Sequence, residues 1–433
     1  MQAGADQQFD LEAYSANYTS HAKVNRLIFI ANKTNSVPIQ LEALRIAADE
    51  LQHSYDTSRY SEVCRQIGGR LGPQYVIDSA KLAKKQLEAE QKHQALDNEL
   101  NGYKTNLIKN SIRMCQTYMG DHAYNRGNLQ DAFKCYVRTR DYCSTAKDIT
   151  QMCLNVIKVA IELNNYTHVQ NYVSKAESTP DVQKDSIIST KLKCAAGLAA
   201  LKEKKYKAAA RKFTDVSAEL GSSYSDVMSV QDVALYGSLC SLASCDRQEL
   251  KRTIIENFRY REVLSTTPEV RDLVYDFYSS KYAACLSTLD RLKPFFNLDI
   301  HLSTHVNTLC SMVRNRALIQ YSTPFTSVNL ATMAPVFITD VSALEKELAK
   351  LIQDKQIQAR IDSHAKVLHA RHANLRSQTF QAALQAGDEY LQETHSLLLR
   401  SSLMRHDIFQ RAQMPRGRGM QYPEHTMQMT GPG

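Results

Sequence analysis

Glycine and proline are scarce in this 433-residue chain, at 15 and 10 residues. So few turn formers leave room for long helices and argue against a fold of many short strands. Long apolar runs are missing as well, and none approaches the roughly 18 to 20 residues that a membrane span needs. The stretch from Met1 to Asp10 has no basic segment followed by an apolar one, so no secretory signal is expected. The ten cysteines contain no Cys-x-x-Cys pair, and the closest two are Cys240 and Cys245. Scattered over apolar helical faces, they read as reduced thiols of a cytoplasmic or nuclear protein. Neither sign of charge dominates: a net charge of +8 permits nucleic-acid contact without demanding it. Catalytic signatures are lacking too. There is no Gly-x-Ser-x-Gly and no dinucleotide fingerprint, and Gly68-Gly69-Arg70-Leu71-Gly72-Pro73 is without the Lys-Ser/Thr of a phosphate loop, so it reads as a turn. His301-Leu-Ser-Thr-His305 sets two imidazoles at helical spacing, but without the Glu of a metalloprotease and without a third ligand. No catalytic residue, cofactor or metal site is expected.

What the chain does have is a small unit that returns. Leu129/Ala132/Tyr136, Tyr166/Val169/Val173, Tyr206/Ala209/Phe213 and Tyr282/Cys285/Leu289 share one spacing. An earlier copy stands at Tyr60/Val63/Ile67 and a degenerate one at Arg247/Leu250/Ile254. Steps of three and then four residues place all three side chains on one face of an α-helix. Each of the four clear copies opens after a turn-prone or polar pair: Gly127-Asn128, Asn164-Asn165, Lys204-Lys205 and Ser280-Lys281. Amphipathic stretches precede them, such as Ile149/Cys153/Val156/Ala160 and Ile188/Leu192/Ala195/Ala199. From Leu129 onward the units begin about 35 to 41 residues apart, the period of paired-helix repeats of the tetratricopeptide type. One pair cannot bury its own apolar face, so neighbours must stack and leave a surface for partners.

The flanks differ. Leu11 to Ile30 reads as one helix, Pro38 opens another, and Lys81 to Leu107 is a long charged helix, mostly solvated. After Pro294 the pattern changes. Leu302 to Ile319 is a helix, and Phe325, Val328, Leu330, Met333 and Phe337 anchor a short second one. Thr339-Asp340 can cap a third helix, with Leu344, Leu348 and Leu351 on its inner face. The period then becomes two: Ile357, Ala359 and Ile361, a turn at Asp362-Ser363-His364, and a return strand from Lys366 to Ala370. This is the order of a winged helix. A last helix runs from Ser377 to about Arg411, and its apolar residues have no domain left to receive them. From Ala412 Pro, Gly, Gln and Met dominate, and disorder is expected. The expected fold is mainly α: a right-handed helical-repeat (TPR-like) solenoid, a winged-helix module and a long C-terminal helix. The expected segments are 1–110 (N-terminal helices), 111–293 (repeats), 294–375 (winged helix), 376–411 (assembly helix) and 412–433 (tail).

Paired-helix repeats running into a winged helix resemble the PCI family, whose members are subunits of the proteasome lid, the COP9 signalosome and the translation initiation factor 3 complex. Phe9-Asp-Leu-Glu-Ala-Tyr14 with Asn17-Tyr18, Arg26-Leu-Ile-Phe-Ile-Ala31, Gly127-Asn-Leu-Gln-Asp-Ala132, Asp246-Arg-Gln-Glu-Leu-Lys251 and Arg400 to Ile408 are similar to the signalosome branch. The resemblance covers roughly residues 9 to 410, with the proteasome-lid branch as the alternative. It implies a non-catalytic scaffold subunit, in cytoplasm and nucleus, of a complex that removes Nedd8 from cullin-RING ubiquitin ligases. The chemistry there belongs to a zinc metalloprotease subunit with a His-x-His, which this chain lacks. Other PCI subunits are the implied partners, the metalloprotease is reached only through the complex, and cullin-RING ligases are the substrate. No membrane partner is expected.

Two interfaces are expected. The hairpin residues Ile357, Ala359, Ile361, Val367 and Leu368 would extend a sheet into a neighbouring winged helix. The C-terminal residues Leu391, Leu397, Leu398, Leu399 and Leu403 would enter a helix bundle. The competing reading is a nucleic-acid adaptor. On the helix Val341 to Gln356, Lys346, Lys350 and Lys355 are balanced by Glu345, Glu347 and Asp354, which favours sheet pairing.

Overall fold

The computed structural model describes residues 10–179, 185–371 and 375–406. Phe9, His372, Asp407, Ile408 and the 412–433 tail lie outside them, and with them the expected loose start and disordered end. One compact unit ends at Ala370 and a second begins at Arg371.

The first unit opens with α1 (Leu11–Ala16) and α2 (Ser20–Lys33), where one continuous helix was expected. Asn17 ends α1, and Ser20 takes a φ of 54°, so the chain turns before α2 begins. With α3 (Val37–Gln52) and α4 (Thr57–Ile67) these helices close a core of Leu27, Ile30, Leu44, Val63 and Ile67. The charged helix α5 (Ser79–Thr105) buries only Ala89 and Leu100.

Helical hairpins follow: α6 (Lys109–Asn125) with α7 (Leu129–Arg138), α8 (Ala146–Glu162) with α9 (Tyr166–Glu177), and α10 (Ser186–Lys202) with α11 (Tyr206–Thr214). Next come α12 (Val230–Ser244), α13 (Arg247–Leu250), which runs into a π-helix at Lys251–Ile255, and α14 (Phe258–Ser265). A last hairpin joins α15 (Pro268–Tyr278) to α16 (Tyr282–Asn297). The recurring unit begins α7, α9, α11 and α16, and its second and third positions are buried in every copy. The pair ahead of each copy has one geometry. Gly127, Asn164, Lys204 and Ser280 take φ of 78°, 56°, 62° and 62°. The following N–H reaches the carbonyl five residues back: Asn128 to Ala123 at 3.0 Å, and Asn165 to Ala160, Lys205 to Ala200 and Lys281 to Asp276 each at 2.9 Å. This is a Schellman turn, and its last residue is also the N-cap of the next helix. One dipeptide therefore stops the first helix and aims the second.

The segment 1–110 does not stand apart from the repeats. Arg26 of α2, 2 % exposed, donates to Asp232 of α12 and to Asp299 after α16, both at 2.8 Å. The Tyr18 hydroxyl donates to Asp232 and the Tyr236 hydroxyl to Asp299, each at 2.7 Å. The Tyr18 ring lies 4.1 Å from the guanidinium. The N-terminal helices and the repeats share one buried polar joint.

The winged helix comprises α17 (Val306–Ser322), β1 (Ser327–Asn329), α18 (Leu330–Val336), α19 (Val341–Gln353), β2 (Ala359–Asp362) and β3 (Val367–Ala370). The sheet order is β1-β3-β2, antiparallel throughout, with Val328 opposite Leu368 and Ile361 opposite the same Leu368. β1 corrects the sequence reading, which ran Phe325 to Phe337 as one amphipathic helix. Three residues are too few to show a period of two, and Asn329 accepts from the Ala331 N–H, so α18 starts only at Leu330. The second unit holds α20 (Leu375–Arg405), one long helix.

Candidate subunit interfaces

The hairpin residues do not occupy one position. Val367 and Leu368 lie on β3, the middle strand, where both edges are already paired. They cannot extend a sheet, which corrects the expectation for these two. Ala359 and Ile361 lie on β2, one of the two outer strands among the described residues. The side chains of Ile357, Ala359 and Leu368 are buried within the unit, and Ile361 and Val367 are half-buried. Any partner at this hairpin would meet the backbone edge of β2 and exposed side chains such as Arg360, not these apolar groups. Lys366 fixes the hairpin to α19 through Glu345 at 2.8 Å, and Ser363 donates to the same carboxylate.

That pairing bears on α19. Glu345 is engaged by Lys366, and Glu347 by Arg314 at 2.9 Å. Lys346, Lys350, Lys355 and Asp354 remain exposed. The even balance of charge in the sequence is thus not the balance on the surface.

On α20, Phe380, Leu384, Leu391 and Leu398 follow one another at steps of four, seven and seven residues, which puts them on one face. Each is more than half exposed. Leu397 and Leu399 flank this stripe, and Leu403, four residues after Leu399, and Met404, seven after Leu397, continue those flanks. Of the expected patch, Leu391 and Leu398 lie on the stripe itself. Phe380 and Leu384 extend it, a period visible in the sequence once the helix is drawn as a wheel. Burying one such side chain is worth roughly 1.5 to 3 kcal/mol, so four in a row give a partner helix a substantial hold.

The paired imidazoles form no helical site. Residues 300–305 are turns because the Asp299 carboxylate accepts the His301 and Leu302 N–H groups, at 2.9 and 2.8 Å, and α17 starts only at Val306. The Nδ1 of His305 lies 3.2 Å from the Tyr206 hydroxyl. Among the described residues no group of three or more His, Cys, Asp or Glu could hold a metal ion. His364 and His369 are exposed on the hairpin. No helix among the described residues is long and apolar enough to cross a membrane.

The Arg26 joint went unread in the sequence. Burial pushes the Asp299 carboxyl up, but Arg26 and the Tyr236 hydroxyl outweigh it and hold it below its usual value. Burial raises Asp232, and Arg26 does not fully offset that. Arg26 sits between Asn25 and Leu27 like any surface arginine of an amphipathic helix, so a single sequence carries no sign of its burial.

Residues 78–253 match the family described as 26S proteasome subunit RPN7, and residues 289–372 match the PCI domain. The chain is 51% identical to COP9 signalosome complex subunit 1 of Arabidopsis thaliana over 404 residues, covering 93% of this chain and 91% of that protein. It is 37% identical to subunit 1b of Drosophila melanogaster, over 92% of this chain and 86% of that protein. Similarity to 26S proteasome non-ATPase regulatory subunit 6 of Dictyostelium discoideum stands at 21%, over 80% of this chain and 93% of that protein.

Proposed function

Because the chain belongs to the COP9 signalosome subunit 1 family and carries a PCI domain, we propose that it is a non-catalytic scaffold of the signalosome. In this reading the whole complex removes Nedd8 from cullin-RING ligases, in cytoplasm and nucleus, and this subunit holds other PCI subunits in place. The observation that carries the proposal is the exposed stripe Phe380/Leu384/Leu391/Leu398 on α20. An apolar face repeated every seven residues suits packing against other helices, and packing of such a face is where most helical stability in proteins comes from. The outer edge of β2 supplies a second contact by strand pairing with a neighbouring winged helix. The metalloprotease subunit and the cullin-RING ligases are met through the assembly.

Affinity purification of the tagged full-length chain tests this. Recovery of the other signalosome subunits and of cullins is expected, and recovery of proteasome lid subunits in their place would overturn it. A purified chain alone is expected to leave Nedd8-modified cullin intact.

A second reading rests on the exposed Lys346 and Lys350 of α19, whose acidic neighbours are engaged elsewhere. It makes the winged helix a nucleic-acid adaptor. Binding to duplex DNA that weakens with salt, and is lost in a Lys346→Glu/Lys350→Glu variant, would support it. Equal binding by that variant would remove it.

A further inference from the structure

The repeat pattern is interrupted at one place, and the interruption carries an aromatic side chain that the fold leaves in solvent. Arg247 to Leu250 starts as an α-helix, then widens into the π-helix Lys251–Ile255, closed by the Glu256 N–H on the Lys251 carbonyl at 2.8 Å. Short π-helical turns recur at functional sites because they shift the residues that follow out of register. Here the shift is locked on both sides. Asp246 at the start is gripped by Arg316 at 2.8 Å. Asn257 at the end accepts from the Tyr260 N–H, and its own amide donates to the Thr214 carbonyl at 3.0 Å. Tyr260, Val263 and Leu264 anchor the inner face of α14.

The outcome is that Phe258, the first residue of α14, is 77 % exposed on a rigid element. Arg261 follows one turn later on the same face, Arg259 is adjacent, and Arg252 stands on the π-helical turn. None of these three arginines is ion-paired among the described residues. Nearby cations do have partners: Lys207 with Glu249 at 2.9 Å, Lys212 with Glu177 at 3.4 Å, and Lys251 with Glu256 at 3.2 Å. An unpaired arginine offers a planar fork that matches a carboxylate. Three such forks close in the chain to an exposed aromatic ring complement acidic residues set near an apolar one.

We propose that Phe258, with Arg252, Arg259 and Arg261, is a docking surface for an acidic segment of a partner protein that carries an apolar anchor. Phe258 receives the anchor and the arginines take the flanking carboxylates. Glu256 stands between Arg252 and Arg259 in the chain, and Glu262 follows Arg261 directly. A phosphate backbone carries a charge at every step and would run against these neighbouring carboxylates, whereas a peptide can place its carboxylates selectively. This choice favours protein over nucleic acid, and it stands independently of the assembly role of α20.

Fluorescence anisotropy on the full-length chain tests it with a labelled peptide of alternating glutamate and leucine. The controls are the same peptide with lysine for glutamate, and oligouridylate. Expected are salt-sensitive binding of the acidic peptide, none of the basic one, and weaker or absent binding of oligouridylate. Arg252→Glu/Arg259→Glu/Arg261→Glu should raise Kd at least about tenfold, the span typical of losing charge-assisted pairs at an interface. Phe258→Ser should raise it about fivefold or more, with unchanged helical content by circular dichroism. All four side chains are on the surface, so both variants are expected to fold. No binding of the acidic peptide, equal binding by the variants, or oligouridylate binding through the same residues would each overturn the proposal.

Discussion

Gly197 of α10 faces Phe213 of α11 so closely that a Cβ there would lie 2.6 Å from the ring. Gly120 of α6 meets Tyr136 of α7 at the same 2.6 Å. In both hairpins the aromatic third position of the recurring unit follows its glycine by sixteen residues, so the ring uses the space left by a missing side chain. Where the third position is Val173 or Leu289, the residue sixteen earlier is Ile157 or Leu273, and bulk moves to the other helix. Gly197→Ala should therefore cost about 1 to 3 kcal/mol of stability by urea denaturation. Combined with Phe213→Leu it should cost at least about 1 kcal/mol less than the two changes summed. Strict additivity would mean that the two positions do not share this space.

Two histidines make stability depend on pH. Burial, with Arg26 nearby, pushes His301 down to about 3, and burial with Lys202 and Lys204 nearby pushes His305 down to about 4. Both stay neutral in the fold, while the unfolded chain protonates them below about pH 6.5. A lowered histidine pKa means that the unfolded state binds more protons between those values. The stability is thus fully present above about pH 6.5 and is lost as pH falls from there toward 4 and 3. The urea midpoint should drop between about pH 7.5 and 5.5, and a His301→Gln/His305→Gln variant should lose roughly 2 kcal/mol less over that interval. An identical pH dependence in the variant would contradict this assignment.

At the scale of elements, the recurring turn accounts for most of what could be read in advance. The offsets 0, 3 and 7 place the helices because burial of one face follows the helical period directly. The dipeptide before each copy is visible as a polar pair, but its left-handed geometry is disclosed by glycine only at Gly127. At Lys204 and Ser280 ordinary side chains accept the same conformation. Replacing Lys204 by Gly should accordingly stabilise the chain by about 0.5 to 1 kcal/mol, measured as a higher urea midpoint. A lower midpoint would show that the Lys204 side chain contributes more than its backbone strain costs.

Other elements escaped for identifiable reasons. β1 is a three-residue strand whose partner β3 lies about forty residues away, so no local pattern reveals it. The break between α1 and α2 depends on contacts with Ser225 and Asp232, far along the chain. On the hairpin the period of two was legible, yet the sheet order was not, and that order excludes Val367 and Leu368 from edge pairing.

For the molecule as a whole, Arg26 ties the N-terminal helices to the repeats through two buried carboxylates on separate elements. Removing one partner of a buried ion pair leaves uncompensated charge, at a cost of about 3 to 5 kcal/mol. Arg26→Met should lower the urea midpoint by that order and speed proteolytic cleavage ahead of α3. Arg26→Lys should not restore the wild-type state, because one ammonium cannot reproduce two guanidinium hydrogen bonds on diverging acceptors. The first unit otherwise holds its core within residues before Ala370, and the second presents the stripe of α20. This division makes the scaffold reading testable by truncation. A chain ending at Ala370 should keep the helical content and the urea midpoint of its own unit. The most direct measurement is native mass spectrometry of complexes assembled from the other signalosome subunits with either the full-length or the truncated chain. The full-length chain is expected to be incorporated and the truncated one excluded; equal incorporation of both would contradict the assembly role of α20.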